Sequence, residues 1–313
     1  MLLPKPLLSP LLPLLPLLTS LPTLAQQTRC QWSTLRSATD QVLESLTAGI
    51  TGTTAAGGIL LASPSLIYTQ NSVALSIASP DSVLSAPLDV AFAHSIVDQD
   101  GCAGFVRIVV LPSSDGEGGG KGVLVIGAQI FYNYTFNQGT TVRQIDLVFA
   151  REGDWQMPEG LNATALLGHV AGEDWGALSR ARQDSRAVLE GVAGTYLDFV
   201  GGTVNSDGNG TGTDSEAAVA VPWGRPCSRL EGSVYTAVGD AESCEKGLSP
   251  MGGTAQGITG RQFVVDESIG AVSVLARDGK LGGAPGVFEF RVVEGKLRYV
   301  HQFAATGLAR MDD

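Results

Sequence analysis

The chain has no basic run, little charge of either sign and almost none of the residue patterns that build familiar active centres. Charged residues make up 16% of its 313 positions, aromatic residues 6%, and there are three histidines. The formal net charge is −11. An acidic, aromatic-poor chain without clustered Lys or Arg argues against nucleic acid and anionic membranes as partners. His94, His169 and His301 are too scattered in sequence to suggest a zinc or iron site. There is no Gly-x-Ser-x-Gly elbow for a hydrolase nucleophile. The stretch "GEGGGKG" lacks the Ser or Thr that must follow Lys in a phosphate loop. The stretch "DGNGTG" opens like a calcium loop, but its twelfth position is Ala218 where a bidentate Glu is needed. No cofactor and no metal are expected.

What is present begins with the first 25 residues, one cation (Lys5) followed by a Leu/Pro-rich run and Thr23-Leu24-Ala25. Small residues at −3 and −1 fit a cleaved secretion signal, with maturation near Gln26. Prolines at 10, 13 and 16 disfavour a spanning helix. A secreted, extracellular protein is expected, with no membrane association after cleavage. Its four cysteines then predict two disulfides. Cys227 and Cys244 are close in sequence and pair locally, which leaves Cys30 for Cys102. Sequons at Asn133, Asn162 and Asn209 are candidate glycosylation sites.

The sequence repeats itself. "VRQIDLVFA" (142–150) aligns with "LRYVHQFAA" (297–305), and "IVDQDGCAGFVRIVV" (96–110) with "VVDESIGAVSVLARD" (264–278). An amphipathic stretch precedes each pair. Val42, Leu43, Leu46 and Ile50 form a stripe in 38–50; Val188, Leu189, Val192, Tyr196 and Phe199 form one in 184–202. Ser185 or Asp184 would cap the second helix and Gly201-Gly202 would end it. Helices first and hairpins after predict an α+β class, with helices on a curved antiparallel sheet in each half. The expected organisation is a signal peptide at 1–25, a first module at 26–155, a connection at 156–183 and a second module at 184–313. Trp155 and Trp175 in the connection are expected to pack the modules together, and 112–122 and 205–216 to be surface loops.

This order of elements resembles the SnoaL-like, or nuclear-transport-factor-like, cone. The phrases "VPWGRPCSRLEG" (221–232), "VVDESIGAVSV" (264–274) and "EGKLRYVHQF" (294–303) also resemble a family of secreted fungal proteins of unknown function. The resemblance implies tandem cones, each with a pocket between sheet and helices, and carries no catalytic motif.

On the last strand Leu297, Tyr299, His301 and Phe303 share one face. By the internal alignment His301 corresponds to Asp146 and Tyr299 to Gln144. If that face lines a cone, these four are wall groups, with His301 as acid/base and Tyr299 as oxyanion or orienting group. A tight turn at Glu294-Gly295 would set Val292 opposite Leu297, Phe290 opposite Tyr299 and Phe288 opposite His301. That register adds Phe288 and Phe290 to the pocket and sends Glu289 and Arg291 to a solvated face with Arg298 and Gln302. Asp266, with Glu267, is expected to serve a turn or helix cap, His94 to reach a pocket mouth, and Tyr68 to pack in the core.

Two functions fit. One is a pocket for a small apolar molecule, with cofactor-independent isomerase, cyclase or lyase chemistry if it is an enzyme. The other is a non-catalytic secreted binding or cell-surface protein that uses the modules as scaffold.

Overall fold

The computed structural model describes residues 30–49, 65–111, 122–135, 139–202, 221–239, 244–245 and 257–307. The expected leader, most of the two Gly-rich loops, Ile50 and Asn209 lie outside the described residues.

Two six-stranded sheets dominate. In the first, β1 (Ile67–Gln70), β2 (Val73–Ala74), β3 (Val90–Asp98), β4 (Ala103–Val110), β5 (Leu124–Thr135) and β6 (Gly139–Arg151) take the order β2-β1-β6-β5-β4-β3. In the second, β7 (Trp223–Glu231), β8 (Val234–Gly239), β9 (Ile258–Asp266), β10 (Ala271–Asp278), β11 (Ala284–Val293) and β12 (Lys296–Ala304) take the order β8-β7-β12-β11-β10-β9. The orders are identical after shifting every label by six, so the repeat read in the sequence is a repeat of topology. The sheets are mixed rather than antiparallel, because β1 runs parallel to β6 and β7 to β12. Each parallel pair joins the first strand of a unit to its last, and the intervening strands supply the long connection that parallel pairing requires.

Helix α1 (Trp32–Ala48) lies on the outer face of the first sheet. Its Leu35, Val42 and Leu46 are packed with Val106, Ile108, Ile126, Ile145 and Leu147. Helix α3 (Arg186–Gly201) does the same for the second, where Leu189, Tyr196 and Phe199 meet Val274, Phe288, Phe290 and Val300. Gly202, in the left-handed region at φ 70°, ends α3 as expected. Ser185 stands at its N-cap without a side-chain cap bond; the Arg186 N–H donates instead to Glu267 Oε1 at 2.5 Å, and Asp184 accepts from Gly295 N–H.

The opposite faces of the two sheets pack against each other. Phe105, Val125 and Val148 of the first share a core with Val264, Leu275, Val287 and Phe303 of the second. The connection adds helix α2 (Ala163–Ala171), through Leu166 and Val170, and Trp175 to this middle layer. The architecture is helix, sheet, sheet, helix. The close approach requires Gly127, whose added Cβ would come within 3.0 Å of both Phe303 and Val287. Burial of both faces explains why β4 is buried at every residue and shows no polar alternation.

A reciprocal pair of bonds clamps the sheet edges. Among the described residues, β3 and β9 are edge strands, each hydrogen-bonded to one neighbouring strand. Val265 N–H donates to Asp98 Oδ2 at 2.9 Å, and Val97 N–H donates to Asp266 Oδ2 at 3.1 Å. Aligned aspartates thus satisfy edge amides of the opposite sheet, which also keeps those edges from pairing elsewhere. Asp266 Oδ1 serves the expected turn as well, accepting from Ser268 N–H and Oγ–H.

The disulfides are Cys30–Cys102 and Cys227–Cys244, the pairing expected from spacing. No helix among the described residues is long and apolar enough to cross a membrane.

Candidate functional site

The closing hairpin turns at Glu294-Gly295 as expected, with Val293 opposite Lys296 and Val292 opposite Leu297. There the expected register ends. Arg298 is an extra residue, a β-bulge, and beyond it Tyr299 pairs with Arg291, Val300 with Phe290, His301 with Glu289 and Gln302 with Phe288. The one-residue shift inverts the predicted neighbourhood. Phe288 and Phe290 face α3 in the outer core, not His301. Glu289 and Arg291 are not solvated: they are 0% and 2% exposed, Glu289 meeting Arg107 of the opposite sheet and Arg291 the Gly176 carbonyl of the connection. The first unit has the same bulge, at Arg143.

His301 is 2% exposed and lies in the layer between the sheets rather than in a cone beneath helices. Arg107 Nη1 contacts its Nδ1, and Glu289 Oε2 lies 3.3 Å from the same nitrogen. Arg107 also donates to Glu289 Oε2 at 3.0 Å. On the other side Glu173 Oε2 approaches His301 Nε2 at 2.7 Å, although no aligned hydrogen bond forms. Glu173 accepts from Ser228 Oγ at 2.5 Å and Trp175 Nε1 at 3.0 Å. Trp175 covers the group, with ring centroids 4.8 Å from His94, 5.3 Å from His301 and 5.6 Å from Tyr299. His94 does not stand at a pocket mouth; its Nε2 is 3.3 Å from Glu289 Oε1 within the cluster.

Burial sets the electrostatics. Loss of water raises the Glu289 carboxyl above the usual range, with Arg107 pulling it back. Burial raises Glu173 as well, against the hydrogen bonds from Ser228 and Trp175. His94 falls to about 3, because burial and then the Arg107 charge disfavour imidazolium.

The aligned position in the other unit has different chemistry. The strand pairs His94–Arg107 and Gln262–Leu275 match, as do Glu289–His301 and Gln129–Asp146. Asp146 and Gln144 accordingly lie between the sheets too, not in an apolar pocket. Asp146 accepts from Thr69 Oγ1 at 2.7 Å and Gln144 Nε2 at 2.6 Å, and more distantly from Gln262 Nε2 at 3.4 Å. Gln129 Nε2 donates to the Gln262 carbonyl. One end of the inter-sheet layer is ionic and the other is largely amide.

Tyr299 is the predicted residue that reaches an opening. Its hydroxyl accepts from Asp174 N–H at 3.3 Å, and it lines a cleft of about 120 Å³ with Asp174, Arg182, Arg225, Arg291 and Arg298. The lining is cationic. A pocket for an apolar, drug-sized molecule spans roughly 300–1,000 Å³, so this cleft suits a small polar group.

Tyr68 is core, as expected; burial pushes its hydroxyl up to about 12. Asn133 is exposed on β5, and exposed Asn162 caps α2 by accepting from Ala165 N–H. His169 stacks near Tyr235 with centroids 4.3 Å apart. No group of three or more His, Cys, Asp or Glu suited to a metal occurs among the described residues.

The depressed His94 makes a pH prediction. The unfolded chain takes up this proton near pH 6.5 and the folded protein only near 3, so the contribution is complete above 6.5 and is lost as pH falls. By pH 5 the loss is about 2 kcal/mol. Raised Glu173 and Glu289 act oppositely, favouring the folded state at low pH. Chemical denaturation at pH 7 and pH 5 should therefore show His94→Gln, which copies Gln262, losing less stability on acidification than the parent.

Residues 182–304 match the family model described as Domain of unknown function (DUF8021). The match runs from Arg182 through α3 and β7–β12, and so covers His301, Tyr299 and the four arginines of the cationic cleft. No curated protein matches the chain.

Proposed function

We propose that this is an extracellular, non-catalytic binding protein: two sheet units locked into one scaffold, with recognition at the cleft beside Tyr299. The reading rests on one observation. His301 is 2% exposed, with Arg107, Glu289, Glu173 and Trp175 around its ring. An acid/base group must reach the proton it moves, directly or through one water. Here the imidazole meets other side chains of its own fold. The two disulfides and the leader-like first 25 residues support an oxidising, extracellular setting. The SnoaL-like resemblance is compatible with this reading, since a fold of that kind serves as binding module as well as enzyme.

Diethyl pyrocarbonate labelling of the native protein, mapped by peptide mass spectrometry, tests the reading. Exposed His169 should be modified while His94 and His301 stay protected until the protein is denatured. Native-state modification of His301 at a rate near that of His169 would mean an open imidazole, and would restore the acid/base role.

A further inference from the structure

The cleft at Tyr299 collects positive charge in a chain whose formal net charge is −11. Arg182, Arg225, Arg291 and Arg298 line it, and among the described residues the carboxylates that offset them are Asp174, also in the lining, Glu294, 3.7 Å from Arg182, and Asp266, whose charge acts on Arg291. Four guanidiniums thus face three carboxylates.

Among the described residues, two of these arginines have buried donors with no partner. Arg291 is 2% exposed; its Nη2 donates to the Gly176 carbonyl at 2.9 Å, while its Nη1 has no hydrogen-bond partner. Arg298 Nε is likewise buried and unpartnered. A buried unsatisfied donor costs about 1–3 kcal/mol and more when charged, so an arrangement that keeps two in one cleft calls for a ligand. Arg298 is the extra residue of the bulge, which aims its side chain across β7. Gly224 makes room for it, since an added Cβ there would lie 2.8 Å from Arg298 Cδ and Nε.

The other unit shows what this place looks like without such a demand. Arg143 is the bulge residue there, and Phe131 occupies the position of Arg291. The Arg143 guanidinium rests over the Phe131 ring at 5.5 Å. Exchanging that ring for a second guanidinium replaces a cation–π contact with like-charge repulsion.

We infer that the Tyr299 cleft binds a tetrahedral oxyanion, a sulfate or phosphate group, with Arg291 and Arg298 as anchors. This rests on the reading of the cleft as the recognition site and names what it takes. Arg291 and Arg298 come from β11 and β12, Arg225 from β7 and Arg182 from the segment before α3. Cations from four segments suit oxygens pointing in several directions better than the single plane of a carboxylate. A cleft of about 120 Å³ admits the anionic group and leaves the rest of a larger molecule outside.

Isothermal titration of the full chain with sodium sulfate, sodium phosphate and glucose 6-sulfate, at ionic strength fixed with chloride, tests this. Saturable one-site binding is expected for at least one probe. Arg298→Gln and Arg225→Gln should each weaken it, Arg298→Gln about tenfold or more, by the loss of a charge-assisted bond. Arg143→Gln, in the other unit, should leave it unchanged. Binding confined to the inorganic ions would identify a free ion as the ligand; tighter binding of the ester would identify a sulfated or phosphorylated molecule. Absence of saturable heat from all three probes, or binding indifferent to Arg298 and Arg225, overturns the inference. Neither variant touches the Arg107 cluster, so Arg291→Met, which carries a folding risk, is not needed. The labelling of His301 does not depend on these arginines, so either reading can fail alone.

Discussion

Replacing Arg107 by Leu is expected to destabilise the protein by about 3–5 kcal/mol, the cost of breaking a buried ion pair by removing one partner. Arg107 and Glu289 are 2% and 0% exposed, and the guanidinium donates to the carboxylate at 3.0 Å. Leu is not an arbitrary choice, since Leu275 holds the aligned place in the other unit, with Gln129 where Glu289 stands. Arg107→Leu/Glu289→Gln therefore rewrites the ionic end as the amide end, and it should be more stable than Arg107→Leu alone. The single variant should also acquire a pH dependence. Without Arg107 the Glu289 carboxyl rises further, so the folded state holds its proton to higher pH than the unfolded chain does. The penalty is then smallest in acid and grows as pH rises through the folded value. Urea denaturation of the parent, both single variants and the double variant over pH 4–8 measures the coupling; additive losses would show that the two side chains do not depend on each other.

Loss of the Cys30–Cys102 disulfide should be nearly as costly. The bond spans 72 residues and ties the approach to α1 to the β3–β4 turn. Closing a loop of that size corresponds to about 4 kcal/mol of chain entropy, against about 3 for the 17-residue span of Cys227–Cys244. Cys30→Ala/Cys102→Ala should accordingly lower the denaturation midpoint more than Cys227→Ala/Cys244→Ala. Equal or reversed losses would indicate that the first bond closes onto structure already present in the unfolded chain.

Much of the fold was legible because the chain repeats itself. Asp98 and Asp266 align in sequence, and each accepts from the backbone amide beside the other across the sheets. Most of the helical stripes was readable from period alone: Val42 and Leu46 of α1 and Leu189, Val192, Tyr196 and Phe199 of α3 are buried, whereas Val188 is exposed. The face of the last strand was not readable. Alternation identified Tyr299, His301 and Phe303 as co-facial, but nothing in "VVEGKLRYVHQF" marks Arg298 as a bulge, and one residue of slip exchanged Phe288 for Glu289 beside His301. The expectation of a helix-lined pocket also assumed that one face of each sheet meets water or ligand. Both faces are buried, a possibility signalled by charges set in apolar runs: Arg107 in "GFVRIVV" and Glu289 and Arg291 in "GVFEFRVV". Trp175 packs between the units as expected, but Glu173, which reaches the cluster through the same connection, carries no local pattern that marks it.

The central claim is that the two sheets form one body, clamped face to face by buried polar groups. Amide hydrogen exchange at Val97 and Val265 tests it most directly, because each N–H donates to an aspartate of the opposite sheet. The account predicts that both exchange only through global unfolding, with the same free energy, and that Arg107→Leu lowers both equally. Fast exchange of either amide while the other stays protected, or a loss in one alone, would mean that the sheets open independently and would contradict it.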